Sequence, residues 1–159
     1  MTDLQDKARR HLWLHFTDLA GFQRDELPII VRGDGCYVWD QHDRRYLDAL
    51  SGLFVVQVGH GRTELAAAAE AQAAQLGYFP VWGFGHEPAI ELASRLADLA
   101  PGDLNRVFFT TGGSEAVESA WKLARQFFAA IGQPQRHKVI SRTMAYHGTS
   151  GSNLSLIHI

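Results

Sequence analysis

The chain has 159 residues, 46% hydrophobic and 20% charged, a balance ordinary for a globular protein with a buried core. Its formal net charge of −2 offers no basic surface for nucleic acid or anionic lipid. Cys36 is the one cysteine, so no intramolecular disulfide forms; with no membrane-length apolar stretch and no basic-then-apolar leader, the expectation is a cytoplasmic protein without a nucleic-acid or membrane partner.

Leu4, Ala8, Leu12 and Phe16 recur at helical spacing and predict an amphipathic opening helix that ends before Gly21. His11 and His15 stand four apart on it. They lack the glutamate and third ligand of a zinc site, so they read as a helix face and no metal is expected. From Ile29 to Leu50 the pattern changes to short strands and tight turns. Ile29-Ile30-Val31 precedes Gly33-Asp34-Gly35, Cys36 to Trp39 precedes a polar turn, and Arg44 to Leu47 supplies a third strand of a small antiparallel meander. Cys36, inside a strand-like run, reads as a small core thiol rather than a nucleophile. Ser51 to Gly61 brackets an apolar centre with glycines and suits a buried, irregular connection. The alanine-rich stretch from Glu64 to Leu76 predicts a helix that stops at Gly77, and Tyr78 to His86 forms an aromatic loop. Pro88 fits the first turn of a further helix whose Ile90, Leu92, Leu96 and Leu99 face inward until Pro101-Gly102.

Next, the apolar run Val107-Phe108-Phe109 reads as a buried strand that empties into Thr111-Gly112-Gly113-Ser114, and a helix follows from about Glu115 to Ala130. Paired glycines let the backbone approach a ligand, and the new helix offers unpaired N–H groups, so the turn is a candidate anion cup. The alternative is a plain strand-to-helix turn with Ser114 as its cap. No Gly-Lys-Ser/Thr follows, and the spacing is not that of a dinucleotide fingerprint. Lys138 to Ser141 predicts a second strand, with Tyr146-His147-Gly148 just past its end, where parallel sheets gather ligands. Tyr146 can roof a planar ring over the cup or simply cover the strand end. Strand, helix, strand is the pattern of a parallel α/β sheet. With only two such strands in view, the chain reads as the front portion of a larger domain.

The order of these motifs resembles the class III pyridoxal-phosphate aminotransferases, the fold-type-I group that includes ω-amino-acid:pyruvate transaminases. The resemblance runs through His15-Phe16-Thr17, Arg32 to Asp40, Tyr46 to Leu53, Val58-Gly59-His60-Gly61, Thr111 to Ala116, and Tyr146 to Thr149, nearly the whole chain to Ser150. It implies an α/β fold: a helix and meander over residues 1–50, part of a small domain, then the start of the large cofactor domain over 51–159, with flanking helices on a mainly parallel sheet. It implies that Gly113 and Ser114 hold the phosphate of pyridoxal 5'-phosphate, that Gly112 supports the turn, and that Tyr146 stacks on the ring beside His147. Phe16 and Phe54 would line the amine pocket, and Trp82 would reach a neighbouring subunit's active site. It implies an amine donor, a keto-acid acceptor and a homodimer. Lys7, Lys122 and Lys138 match no Schiff-base lysine, so no catalytic residue is assigned within the chain, and the 159-residue fragment alone is expected to be inactive. Residues 151–159 depart from the family pattern and read as a disturbed, non-native ending. Two readings outside the family are a non-enzymatic phosphate-binding module and a structural or dimerisation segment.

Overall fold

The computed structural model describes residues 3–142 and 145–150. The expectation for residues 151–159 lies outside them. Backbone contacts divide the chain into two compact units, Met1–Phe79 and Pro80–Ile159.

The first unit opens with helix α1 (Asp3–His11), followed by a short helix α2 (Leu19–Arg24). The single long helix expected to stop before Gly21 is therefore two, and Gly21 lies inside the second. Asp18 causes the restart: its carboxylate accepts the N–H groups of Ala20 at 3.0 Å and Gly21 at 3.3 Å, which would otherwise have no partner. Gln5 clamps α1 to the incoming chain, donating to the Leu27 carbonyl at 2.6 Å and accepting from its N–H at 3.2 Å. Phe22 is the buried apolar side chain of the described residues; Gln5 and Asp40 are buried beside such sparse apolar cover only because their polar atoms are satisfied.

Strands β1 (Ile30–Asp34), β2 (Tyr37–Asp40) and β3 (Arg45–Leu47) form the antiparallel meander that the sequence predicts, in the order β1-β2-β3. Asp34 pairs with Tyr37, so the turn consists of Gly35 and Cys36, and Gly35 takes a φ of +53°. Being a turn residue, Cys36 is exposed rather than a core thiol. Asp40 closes the other turn. Its buried carboxylate accepts the N–H groups of His42 at 2.9 Å and Arg44 at 3.0 Å, the Arg44 Nε–H at 2.7 Å and the Tyr46 hydroxyl at 2.7 Å.

Residues 51–54, expected as a buried irregular connection, form instead an exposed one-turn helix α3 (Ser51–Phe54) of left-handed sense. Ser51, Gly52, Leu53 and Phe54 have φ of +50°, +59°, +65° and +66°. The turn closes through Phe54 N–H to Leu50 O at 2.8 Å and Val55 N–H to Ser51 O at 2.9 Å. For the non-glycine residues this conformation costs roughly 1–2 kcal/mol each. Helix α4 (Thr63–Gln75) follows where the alanine-rich pattern predicts it.

The second unit holds helices α5 (Glu87–Leu99), with Pro88 in its first turn, and α6 (Gly113–Ala130). The stretches around Val107 to Thr110 and Lys138 to Ser141, expected as strands, carry no ladder. A strand of a parallel sheet exists only through neighbours that accept and donate its backbone bonds, and the described residues supply neither stretch with one.

Burial by itself would push the Asp40 carboxyl up; the bonds from Tyr46, from the N–H groups of His42 and Arg44 and from the Arg44 guanidinium outweigh it and hold the group well below the usual carboxylate range. A depressed folded value makes this contribution fully present above the unfolded value of about 3.9, and it is lost as pH falls through the folded one. Asp40→Asn is expected to lower the melting temperature near neutral pH and to shrink the difference from wild type as the solution is acidified. Thermal melts across that range measure both effects; an unchanged neutral-pH melting temperature would show that the carboxylate does not organise the meander.

Candidate functional site

Helix α6 begins at Gly113, and Gly112 before it places no capping side chain on its first turn. Glu115 folds back instead, and its carboxylate accepts from Thr111 N–H at 3.0 Å and from the Thr111 hydroxyl. The N–H groups of Gly113 and Glu115 have no acceptor among the described residues. Among the described residues a Cβ added at Gly112 or Gly113 would meet nothing within 4 Å, which leaves room beside both glycines. An 18-residue helix presents partial positive charge at such a start, and together these features make it receptive to an anion.

Ser114 lies one residue past the start of α6, and its hydroxyl reaches the loop after Tyr146. Its Oγ accepts the N–H groups of Thr149 at 3.0 Å and Ser150 at 2.9 Å and lies 2.9 Å from the Ser150 hydroxyl. The hydroxyl thus ties the loop after Tyr146 to the glycine turn. Gly148 is what lets the two segments meet: it is buried, its φ is +113°, and a Cβ there would stand 2.3 Å from Ser114 Oγ and 2.7 Å from Ser114 Cα. The neighbouring His147 has its Nε2 buried with no hydrogen-bond partner among the described residues. Tyr146, two residues before the contact, is exposed and stacks on no described ring.

The other sequence candidates are distributed between the units. Phe16 and Phe54 belong to the first, and both are exposed on left-handed backbone, with φ of +50° and +66°. Trp82 belongs to the second and is exposed in the aromatic loop before α5. Lys122 is engaged by Glu118 one turn back on α6, at 2.6 Å.

Sequence reasoning overlooked Thr149 and Ser150 as partners of Ser114, because their backbone N–H groups carry no residue-type signal. It also overlooked a pairing in the first unit. Asp48 Oδ1 accepts Gly52 N–H at 3.0 Å and Asp48 Oδ2 accepts from His60 Nε2 at 2.8 Å. The Gly52 N–H, and after it His60, hold this carboxyl below the usual carboxylate range. An aspartate four residues before a glycine was the visible signal for the first of these bonds.

Residues 22–158 match the family model for class-III aminotransferases. A probable aminotransferase of Mycobacterium tuberculosis is 60% identical over 154 residues, covering 96% of this chain and 32% of that protein. The omega-amino acid–pyruvate aminotransferase of Pseudomonas putida is 38% identical over 144 residues, covering 91% of this chain and 32% of its own length. Among solved structures, an (S)-enantioselective omega-transaminase from Thermomicrobium roseum superposes with a TM-score of 0.95 at 43% identity, over 99% of this chain and 35% of that one. The chain spans about a third of the length of the curated relatives it matches.

Gly148→Ala is expected to destabilise the second unit by about 1–3 kcal/mol, since it sets a methyl against Ser114 on backbone that L side chains avoid. Amide exchange at Thr149 and Ser150 should quicken in the same variant. Urea unfolding and hydrogen exchange of the whole protein read the two effects, and wild-type behaviour in both would mean that the loop does not depend on this close approach.

Proposed function

The chain belongs to the class-III aminotransferase family, and on that premise we propose that the whole protein is a pyridoxal-phosphate-dependent enzyme moving an amino group from an amine or ω-amino acid to a keto acid such as pyruvate. The observation that carries this reading is the uncapped start of α6, with room beside Gly112 and Gly113 and a loop tied to it through Ser114.

The residues present fit the cofactor. In this reading the N–H groups of Gly113 and Ser114 hold the phosphate and Gly112 leaves it room. A charged acceptor on such donors is worth about 1.5–3 kcal/mol per bond, and the helix dipole adds about 0.3–2 kcal/mol. Tyr146 roofs the pyridine ring, and the buried Nε2 of His147 beside it is a polar atom in want of a partner, as a ligand site supplies. When bound, pyridoxal phosphate supplies an electron sink for chemistry at the carbon bearing the amine. The chain's own contribution is to grip, orient and cover. Phe16 and Phe54 give the amine substituent an apolar surface, and Trp82 extends toward a second subunit's site in a homodimer. In this reading the enzyme works in the cytoplasm; among the described residues no helix is long and apolar enough to cross a membrane. The lysine and the pyridine-nitrogen partner that the reaction needs come from residues outside this chain, so the 159-residue piece alone is inactive.

Reduction of the cofactor-loaded whole protein with borohydride, followed by peptide mass spectrometry, is expected to mark a lysine outside these residues and none of Lys7, Lys122 and Lys138. Ser114→Ala should weaken pyridoxal phosphate about tenfold, the loss of roughly 1.4 kcal/mol of positioning. If the whole protein binds an unrelated sugar phosphate as well as it binds pyridoxal phosphate, the generic phosphate module replaces this reading. If it binds neither, the chain is a structural segment.

A further inference from the structure

The left-handed turn of α3 is an unfavourable conformation in an exposed place, and something has to hold it. Among the described residues apolar packing does not, because Leu53, Phe54 and Val55 are all largely exposed, Phe54 at 70%. The polar contacts do. Asp48 stands immediately before the turn. One of its carboxylate oxygens accepts the Gly52 N–H at 3.0 Å, inside the left-handed segment, and the other accepts from His60 Nε2 at 2.8 Å. His60 is in turn anchored to the meander. Its backbone bridges to Gly35 in both directions, N–H to Gly35 O at 2.9 Å and Gly35 N–H to His60 O at 3.2 Å. Its ring lies against Gly33, where a Cβ would come within 2.6 Å of the imidazole, so β1 is shaped to receive it. The Asp48 and His60 side chains are 15% and 24% exposed, which shields the pair from competing water. The chain of contacts is therefore continuous: meander, His60, Asp48, Gly52 N–H, then Leu53 and Phe54.

We propose that Asp48 and His60 are positioning residues for amine selection: together they latch the turn Ser51–Phe54 in its left-handed form and so fix where Phe54 meets the substrate. The proposal rests on the reading of Phe54 as an amine-pocket residue. Neither Asp48 nor His60 touches the reacting atoms in it. A relaxed, right-handed course through the same residues would redirect the Phe54 side chain, and a misplaced pocket wall weakens binding without altering the chemistry that follows.

The test uses the whole protein and four substitutions, Asp48→Asn, His60→Ala, His60→Gln and Phe54→Ala. Asp48→Asn and His60→Ala are expected to raise KM for a bulky aromatic amine about tenfold, while kcat and the keto-acid KM stay within about twofold. His60→Gln, which keeps an N–H donor for Asp48, is expected to recover most of the loss. Asp48→Asn should add nothing once Phe54 is alanine, since the two changes act on one element. In the cofactor-free protein, hydrogen exchange over residues 50–57 should accelerate about tenfold in Asp48→Asn and His60→Ala and stay at the wild-type rate in Phe54→Ala. Unchanged exchange in the first two overturns the latch, as does an additive double variant. Unchanged amine KM in Phe54→Ala, with exchange still responding in the other two, overturns the pocket reading of Phe54 and with it the selective role.

Discussion

Two carboxylates organise the turns of the first unit. Asp40 gathers three donors from one tight turn and a fourth from Tyr46 on β3, which ties β2 to β3. Asp48 gathers one donor from the segment ahead of it and one from the imidazole that follows. A charged acceptor with several short bonds can replace apolar burial locally because each bond is made in a shielded place and leaves no donor stranded. The arrangement is also directional, as apolar packing is not. Four bonds converging on one carboxylate admit one turn geometry, and the rest of the meander follows from it.

The second unit solves a different problem. The first N–H groups of a helix are ordinarily filled by the nearest side-chain oxygen. Here the nearest oxygens are committed elsewhere. Glu115 turns toward Thr111, and Ser114 is occupied by the N–H groups of Thr149 and Ser150. The commitment of Ser114 draws the loop that carries Tyr146 and His147 to the turn. Gly148 is the condition for this closeness, because any side chain there would occupy the volume of Ser114.

Much of this could be read from residue order. The meander, the alanine-rich helix, the helix opened by Pro88 and the helix after Gly112-Gly113 form where the sequence places them, since each depends on local propensity, although Ile90, Leu92, Leu96 and Leu99, expected to face inward, are exposed among the described residues. The glycine turn at the start of α6 was legible for the same reason. The readings that changed were those that depend on partners. Cys36 moved from core to surface when the hairpin turn fell one residue later than the Asp-Gly pair suggested, and the strands expected near Val107 and Val139 have no ladder without neighbours to bond.

By itself the sequence determined the family and the places of the meander and the longer helices, because these are properties of short motifs in register. Only the tertiary structure decided that Ser114 binds a loop, that residues 51–54 turn left-handed, and that Asp48 and His60 face each other across twelve residues. The reason is physical. A hydrogen bond between distant segments, and a backbone conformation that local sterics oppose, exist only once the chain has folded far enough to bring their partners together.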